Sequence, residues 1–385
     1  MARLLRNIYL FSCQQIRLLP RFSQFTPEKL AQENDVSDHP PPPKPEKHSK
    51  FQETECKRKP TFQEPRSLVI KPPKINPPTQ KLKHVSKDPE PLLDQEGNLI
   101  YTKMQDEDSR ILEIMSKLKN NKKNNLMLLE GKRLIKEALQ TGCKMDYILF
   151  SRLKEVEYLK PYLPRKGHLY KMPYREMQVW SDLTTNPGIM GIFQIPSADL
   201  FEPKEALPLT IICDNVREPN NLGAILRTSS GVGCHKVILT KGCTNVWDSK
   251  VLRTACGAHF RVKISKETNW DEISNTLPDN SNVFIADNNI LSSKNDESLQ
   301  SMQDLLASIP ILPYFSTDFK KPNHLVLIIG GETEGISMES YKLASKFNGA
   351  RLNVPLSNGV ESLNAGTALG IIVFEIKRQL MQKTN

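Results

Sequence analysis

Four apolar runs in the second half of this 385-residue chain, at 209–213, 236–240, 283–286 and 325–329, are continuous rather than alternating. A strand exposed on one face alternates apolar and polar residues, whereas a strand buried on both faces does not. Helical spacing fills the intervals, at 221–231, 249–258 and 338–347, followed by a short strand at 351–354 and a long helix at 361–381. This alternation predicts a parallel sheet covered on both faces. Open α/β sheets bind ligands at the carboxyl ends of their strands. Three segments carry Asn, Arg, Glu, Ser and Gly directly after an apolar run, at 215–228, 327–335 and 354–368, and predict one composite site.

A smaller α/β domain is expected at 106–197. A helix at 110–118 leads into a strand at 126–130 and a helix at 131–141 closed by Gly142. A second strand at 147–150, a helix at 154–162, partly helical 172–183 and a closing strand at 191–195 complete it. Order is expected to begin near Asp106, because half of the 28 prolines fall between Pro27 and Pro91. Residues 26–105 therefore read as a disordered linker too poor in apolar surface to offset its ordering entropy. The stretch 288–323 reads as a polar insertion with one short helix at 299–307.

Residues 1–25 hold Arg3, Arg6, Arg17 and Arg21, and the first acid is Glu28. Leu4, Leu5, Ile8 and Phe11 could line one helical face. An Arg-rich, acid-poor, amphipathic start is the signature of a mitochondrial transit peptide, and an unstructured basic tail is the other reading. The net charge of +10 favours an anionic partner, nucleic acid or a membrane surface, although a basic pI also suits a mitochondrial address.

Several chemistries find no support. The seven cysteines form no C-x-x-C pair and no zinc spacing, so no metal is expected, and Cys213 reads as a small buried hydrophobe. No apolar run approaches the roughly 18 residues of a membrane span. Gly231-Val-Gly233 lacks the third glycine of a dinucleotide fingerprint and follows a helix. The histidines sit beside no evident partner, and His259 reads as a helix-end residue.

Each motif has a structural and a chemical reading. Asn220 or Asn221 suits a helix N-cap, Arg227 rises from the helix that Asn221 opens, and Gly223 permits close approach of a backbone or a phosphate. Gly330 and Gly331 fit a turn, or a wall on which a ligand lies directly against the backbone. Capping explains Glu361 or Ser362 at a helix start, but not Asn364 before so apolar a run as 365–374. A helix apolar on nearly all sides is buried within the fold or against a second subunit.

Together, and in order, the three motifs resemble the SpoU (TrmH-like) branch of the SPOUT RNA methyltransferases over 205–385. Glu130-Gly-Lys-Arg-Leu-Ile-Lys-Glu-Ala138 and Thr185-Asn-Pro-Gly-Ile-Met-Gly191 resemble the small L30e-like RNA-binding domain that precedes many members. The resemblance implies a trefoil-knotted methyltransferase domain, bound S-adenosylmethionine and a homodimer. It implies 2′-O-methylation of a guanosine in mitochondrial large-subunit rRNA, within a pre-ribosomal particle in the mitochondrial matrix. Carried over by position, Asn221, Arg227, Glu332, Ser362 and Asn364 are the catalytic set. Ile329, Gly330, Gly331, Val354, Pro355 and Leu363 are the cofactor contacts. The sequence departs from the family at Glu218, where Asp is usual, and at Gly366, where many members have Ser. A tRNA 2′-O-methyltransferase of the same fold and an RNA-binding assembly factor with secondary or lost catalysis are the competing readings.

Overall fold

The computed structural model describes residues 88–119, 125–197, 201, 205–287, 305–333 and 335–382. The expected presequence, most of the proline-rich linker, residues 299–304 of the expected short helix and Glu334 lie outside the described residues.

The first layer comprises β1 (Glu90–Pro91), β2 (Thr102–Lys103), α1 (Ser109–Lys119), β3 (Leu126–Glu130), α2 (Lys132–Gln140) and β4 (Met145–Phe150). It continues with α3 (Leu153–Glu157), β5 (Lys166–Gly167), β6 (Leu169–Lys171), α4 (Tyr174–Trp180) and β7 (Ile189–Gln194). Five of its strands form a sheet of order β2-β6-β4-β7-β3, with β7 antiparallel to both neighbours. Order starts earlier than Asp106: β1 pairs with β5, and Leu92 is buried in the core. The helix expected over 154–162 splits into α3 and a 3-10 turn at Lys160–Tyr162. Pro161 lies in that turn, and its missing N–H cannot continue an α-helical ladder. On α1, Ile111, Ile114 and Met115 are buried while Leu112 faces out, the one-sided stripe of a helix lying on a sheet.

The second layer comprises β8 (Leu207–Asp214), α5 (Pro219–Val232), β9 (Cys234–Thr240), α6 (Ser249–Ala255), β10 (Lys263–Thr268), α7 (Trp270–Thr276) and β11 (Ser281–Ala286). It continues with β12 (Ile311–Pro313), β13 (His324–Gly330), α8 (Met338–Lys346), β14 (Ala350–Asn353) and α9 (Ala365–Met381). The seven strands are parallel throughout, in the order β10-β9-β8-β13-β11-β14-β12. Continuous apolar strands fit this burial: Ile211, Cys213, Leu327 and Ile329 face one core, and Ile212, Val326 and Ile328 the other, with Tyr341, Leu343 and Ala344 of α8. Fully burying one such side chain contributes about 1.5–3 kcal/mol before chain entropy is counted.

The stretch expected to be only an insertion contributes the edge strand β12 and the fully buried Phe319. Just past the carboxyl end of β11, Asp287 Oδ2 accepts from Arg351 Nε of β14 at 2.9 Å and from the Tyr341 hydroxyl at 2.9 Å. The layers meet where Ser249 Oγ donates to Asp182 Oδ2 at 2.6 Å and Arg261 pairs with Glu137 at 3.6 Å. Among the described residues no helix is long and apolar enough to cross a membrane.

Candidate active site

The first motif begins at the end of β8. Asn215 takes the left-handed conformation at φ 52°, which Asn tolerates better than most residues, and turns the chain toward α5. The helix cap is Glu218, not Asn220 or Asn221 as expected: its Oε2 accepts from Asn221 N at 2.6 Å, with Pro219 in the first turn. A carboxylate suits the positive end of a helix, so the departure at Glu218 keeps a capping function. Asn220 instead ties the helix start to α6, its Oδ1 accepting from Thr254 Oγ1 at 3.1 Å. Asn221 is left inside the first turn, 5% exposed. The close approach at Gly223 is to a backbone: a Cβ there would lie 2.6 Å from Thr254 Cβ and 3.0 Å from Val251 O of α6.

The third motif corrects the reading of Asn364. The helix starts at Ala365, not Glu361, and Asn364 is its N-cap. Its Oδ1 accepts from Gly366 N at 3.0 Å and Thr367 N at 3.4 Å. That commits the amide nitrogen to the opposite direction, where Nδ2 donates to Asn221 Oδ1 at 2.7 Å and to Glu332 Oε1 at 2.9 Å. One side chain thus caps α9 and joins all three motifs. Gly366 fits the close crossing of α9 over α5, since a Cβ there would lie 2.7 Å from Ala224 Cβ. This crossing accounts for Gly where many family members carry Ser.

The second motif closes on itself. A Cβ on Gly330 would lie 2.4 Å from Gly335 O, and Gly331 bridges Gly335. The Cβ side of Gly330 therefore faces its own loop, an approach that only glycine permits. Sequence reasoning missed Asp214, which holds this loop at both ends. Asp214 O accepts from Gly331 N at 3.1 Å, and Oδ2 accepts from Ser337 N and Ser340 Oγ at 2.7 Å each. Its position as the last residue of β8, beside the incoming loop of β13, was the available signal.

The expected cofactor residues gather at the carboxyl ends of β13 and β14. Ile329, Gly331 and Val354 are buried, Gly330 and Leu363 are half-buried, and Pro355 is exposed. The loop 355–363 between β14 and α9 is mostly exposed. Among the described residues it makes one backbone hydrogen bond of its own, Val360 N to Ser357 O at 3.2 Å. A loop with so few internal bonds offers peptide groups to a polar ligand such as an adenine or a ribose. The hydrogen bonds bring Asn221, Glu332 and Asn364 together. Ser362 and Arg227 are exposed and outside that network. Arg227 lies beside Ala224 and Thr228, the α5 residues that meet Gly366 and Gly370 of α9.

His259 lies in a 3-10 turn after α6, 1% exposed, with Nε2 at 2.7 Å from Val246 O. Burial pushes its pKa down to about 4, against the opposing pull of that carbonyl. Cys213 is fully buried, as expected, and burial raises its thiol well above the ordinary range. Among the described residues no group of His, Cys, Asp and Glu could hold a metal ion.

The SpoU rRNA Methylase family model matches residues 208–374. The chain is 39% identical to mitochondrial rRNA methyltransferase 3 of Homo sapiens over 324 residues, covering 74% of this chain and 76% of that protein. It is 24% identical over 259 residues to a Bacillus subtilis 23S rRNA (guanosine(2553)-2′-O)-methyltransferase, covering 67% of this chain and 91% of that protein. The AdoMet-bound rRNA methyltransferase of Sinorhizobium meliloti superposes with a TM-score of 0.58 at 22% identity, covering 73% of this chain and 98% of that one. That last likeness shows a shared fold.

Proposed function

This chain belongs to the SpoU rRNA methylase family, and from that premise we propose that it methylates the ribose 2′-hydroxyl of a guanosine in mitochondrial large-subunit rRNA, using S-adenosylmethionine. The observation that carries the reading is the Asn364 amide, which links Asn221 of the first motif to Glu332 of the second. The human mitochondrial rRNA methyltransferase supports mitochondrial rRNA as the substrate, and the Bacillus guanosine 2′-O-methyltransferase supports the position.

Ile329, Gly330, Gly331, Val354, Pro355 and Leu363 would hold the cofactor, chiefly through backbone groups. When bound, S-adenosylmethionine supplies an activated methyl group on its sulfonium. The protein's own task is to align a ribose oxygen with that methyl and to assist loss of the hydroxyl proton. Arg227 is a poor base, because a guanidinium with a pKa above about 12 does not deprotonate in a protein. Its planar fork instead grips the target phosphate in bidentate fashion and stabilises negative charge developing on the 2′-oxygen. The hydroxyl proton passes to that phosphate or to water. Asn221, Asn364 and Glu332 fix the helix ends that frame the ribose, and Ser362 orients it.

The rest of the reading follows the same premise. Residues 205–385 form a trefoil-knotted methyltransferase domain, and 106–197 form an L30e-like RNA-binding domain. Residues 1–25 are a transit peptide to the mitochondrial matrix. A homodimer is supported by α9, which exposes Phe374 and Met381 at 52% and 61%. The test is methylation of mitochondrial RNA from cells lacking the protein, using labelled cofactor followed by mapping of 2′-O-methyl positions. Label on one large-subunit rRNA guanosine is expected. Label on tRNA, on a base or nowhere overturns the reading.

A further inference from the structure

The first layer carries a feature that the methyl-transfer site does not use. At the amino ends of β4 and β6, a groove of about 690 Å³ is lined by Tyr147, Tyr162 and His168, with Lys144 and Lys166 exposed on its rim. It lies at the opposite end of the five-stranded sheet from Glu130, whose carboxylate takes the Ser181 hydroxyl near the contact with the second layer. The Tyr147 and His168 rings stack at 5.5 Å and 27°, and His168 lies nearly parallel to Tyr170 at 6.0 Å and 4°. Rings that only filled a core would be covered. Tyr170 is, but Tyr147 and His168 are half-buried and open onto the groove.

Tyr162 connects the groove to a second cluster. Lys136 Nζ of α2 sits 4.8 Å over the Tyr162 ring and 5.5 Å over that of Tyr158, and Lys132 Nζ sits 5.3 Å over Tyr158. Cation–π contacts of this kind hold two ammonium groups in place on an exposed face. Parallel half-exposed rings beside fixed and rim cations form the combination that binds unpaired nucleic acid: rings stack on bases, and cations track the phosphates. A duplex hides its base faces and cannot use the rings. Two acids border the groove, Asp146, which accepts from Gln194 Nε2 at 3.0 Å, and Glu90. Their carboxylates keep phosphates out on the lysine rim and can accept from base amino groups.

We propose that this groove and the tyrosine-held lysines of α2 form a second RNA site, which stacks one or two bases of an unpaired substrate segment distant from the methylated ribose. The inference rests on the RNA-methyltransferase reading for the identity of the ligand, and it adds where and how the first layer holds that ligand. Its consequence is that substrate affinity and methyl transfer are separable.

The experiment measures binding of the full-length protein to a fluorescein-labelled 12-nucleotide single-stranded RNA and to its duplex, across a salt series, with calorimetry of S-adenosylmethionine in parallel. Lys144→Glu combined with Lys166→Glu should weaken single-strand binding at least about tenfold and flatten the log-affinity against log-salt slope by about 1.4, as expected for two lost phosphate contacts. His168→Ala should weaken it about tenfold, and His168→Phe should restore it through the ring alone. Cofactor binding should be unchanged in all three variants. Parent-like affinity in both the lysine pair and His168→Ala overturns the proposal, as does a duplex that binds as tightly as the single strand. If no form binds S-adenosylmethionine while the variants still lose RNA, the methyltransferase reading fails and the RNA site stands.

Discussion

At the junction of α5 and α9 the polar side chains are paired, whereas a few residues away they stand open. Asn364 uses both ends of its amide, and Asn221 and Glu332 accept what it donates. Arg227, further along α5, is exposed with no partner among the described residues, and the loop 355–363 bonds little to itself. The junction is complete without a ligand and fixes two helix ends and a loop. On the proposed function, the open groups are those that a cofactor and an RNA phosphate would complete. Catalysis by alignment requires this division, because a rigid frame lowers the ordering cost at the moment of reaction while the free groups supply the differential binding.

Replacing an open group should cost activity and little stability. Arg227→Ala is expected to lower kcat about 10²–10³-fold, the range for losing one donor to a developing oxyanion. Its melting temperature should stay within about 1 °C of the parent. Arg227→Lys should recover less than about a tenth of the activity, since a point charge cannot replace a bidentate fork. Single-turnover methylation beside thermal denaturation checks both, and an active Arg227→Lys enzyme would remove the bidentate grip from the mechanism.

The paired region should show the reverse coupling. Asn364→Asp keeps an oxygen for Gly366 N and Thr367 N, but turns a second carboxylate oxygen toward Glu332. It should lower activity about tenfold or more while α9 remains capped. Glu332→Gln in the same chain should restore part of that loss, a coupling measurable by a double-mutant cycle. Asn364→Ala removes cap and link together and should cost about 1–2 kcal/mol of stability as well. If Asn364→Asp with Glu332→Gln is no better than Asn364→Asp alone, the link between the two motifs does not matter to the reaction.

The same contrast explains what could be read from the sequence. Strands buried on both faces were legible because nothing interrupts their apolar runs, so the expected 325–329 lies within His324–Gly330. Edge strands were not. Lys263–Thr268 reads Lys-Ile-Ser-Lys-Glu-Thr, and Ile311–Pro313 is three residues long, with Pro310 before it and a proline at its end. The polar clusters at strand ends were visible, but their bonding was not. Asn364 looked like an unexplained residue inside a helix because the start of α9 was placed at Glu361, before a turn that only the fold makes extended. Asp287 and Arg351 are 64 residues apart, and no local pattern connects them.

Packing at the junction can be tested without touching its polar atoms. Gly366→Ser restores the residue common in the family, and its Cβ would press on Ala224. Overpacking of this kind costs about 1–3 kcal/mol. Ala224→Gly should relieve most of it in the double variant, at the helix cost of a glycine, about 1 kcal/mol. Chemical denaturation of the three variants checks the cycle, and additive losses would show that α5 and α9 are not in the contact described.

His259 is the intermediate case, buried but only half-bonded: Nε2 meets Val246 O, while Nδ1 has no hydrogen-bond partner among the described residues. Its folded pKa of about 4 lies below the ordinary 6.5, so the folded state binds this proton more weakly than the unfolded chain. Its contribution to stability is therefore present above the unfolded value and lost as pH falls from about 6.5 toward 4. Between pH 7 and 6 the loss should be about 0.7 kcal/mol. His168 and His324, also lowered by burial, add slopes of the same sign, so the informative quantity is a difference. His259→Gln should flatten the dependence of unfolding free energy on pH in that window, whatever it does to stability at pH 7. An unchanged slope would mean that His259 titrates normally, and that its half-bonded site admits enough water to solvate the imidazolium.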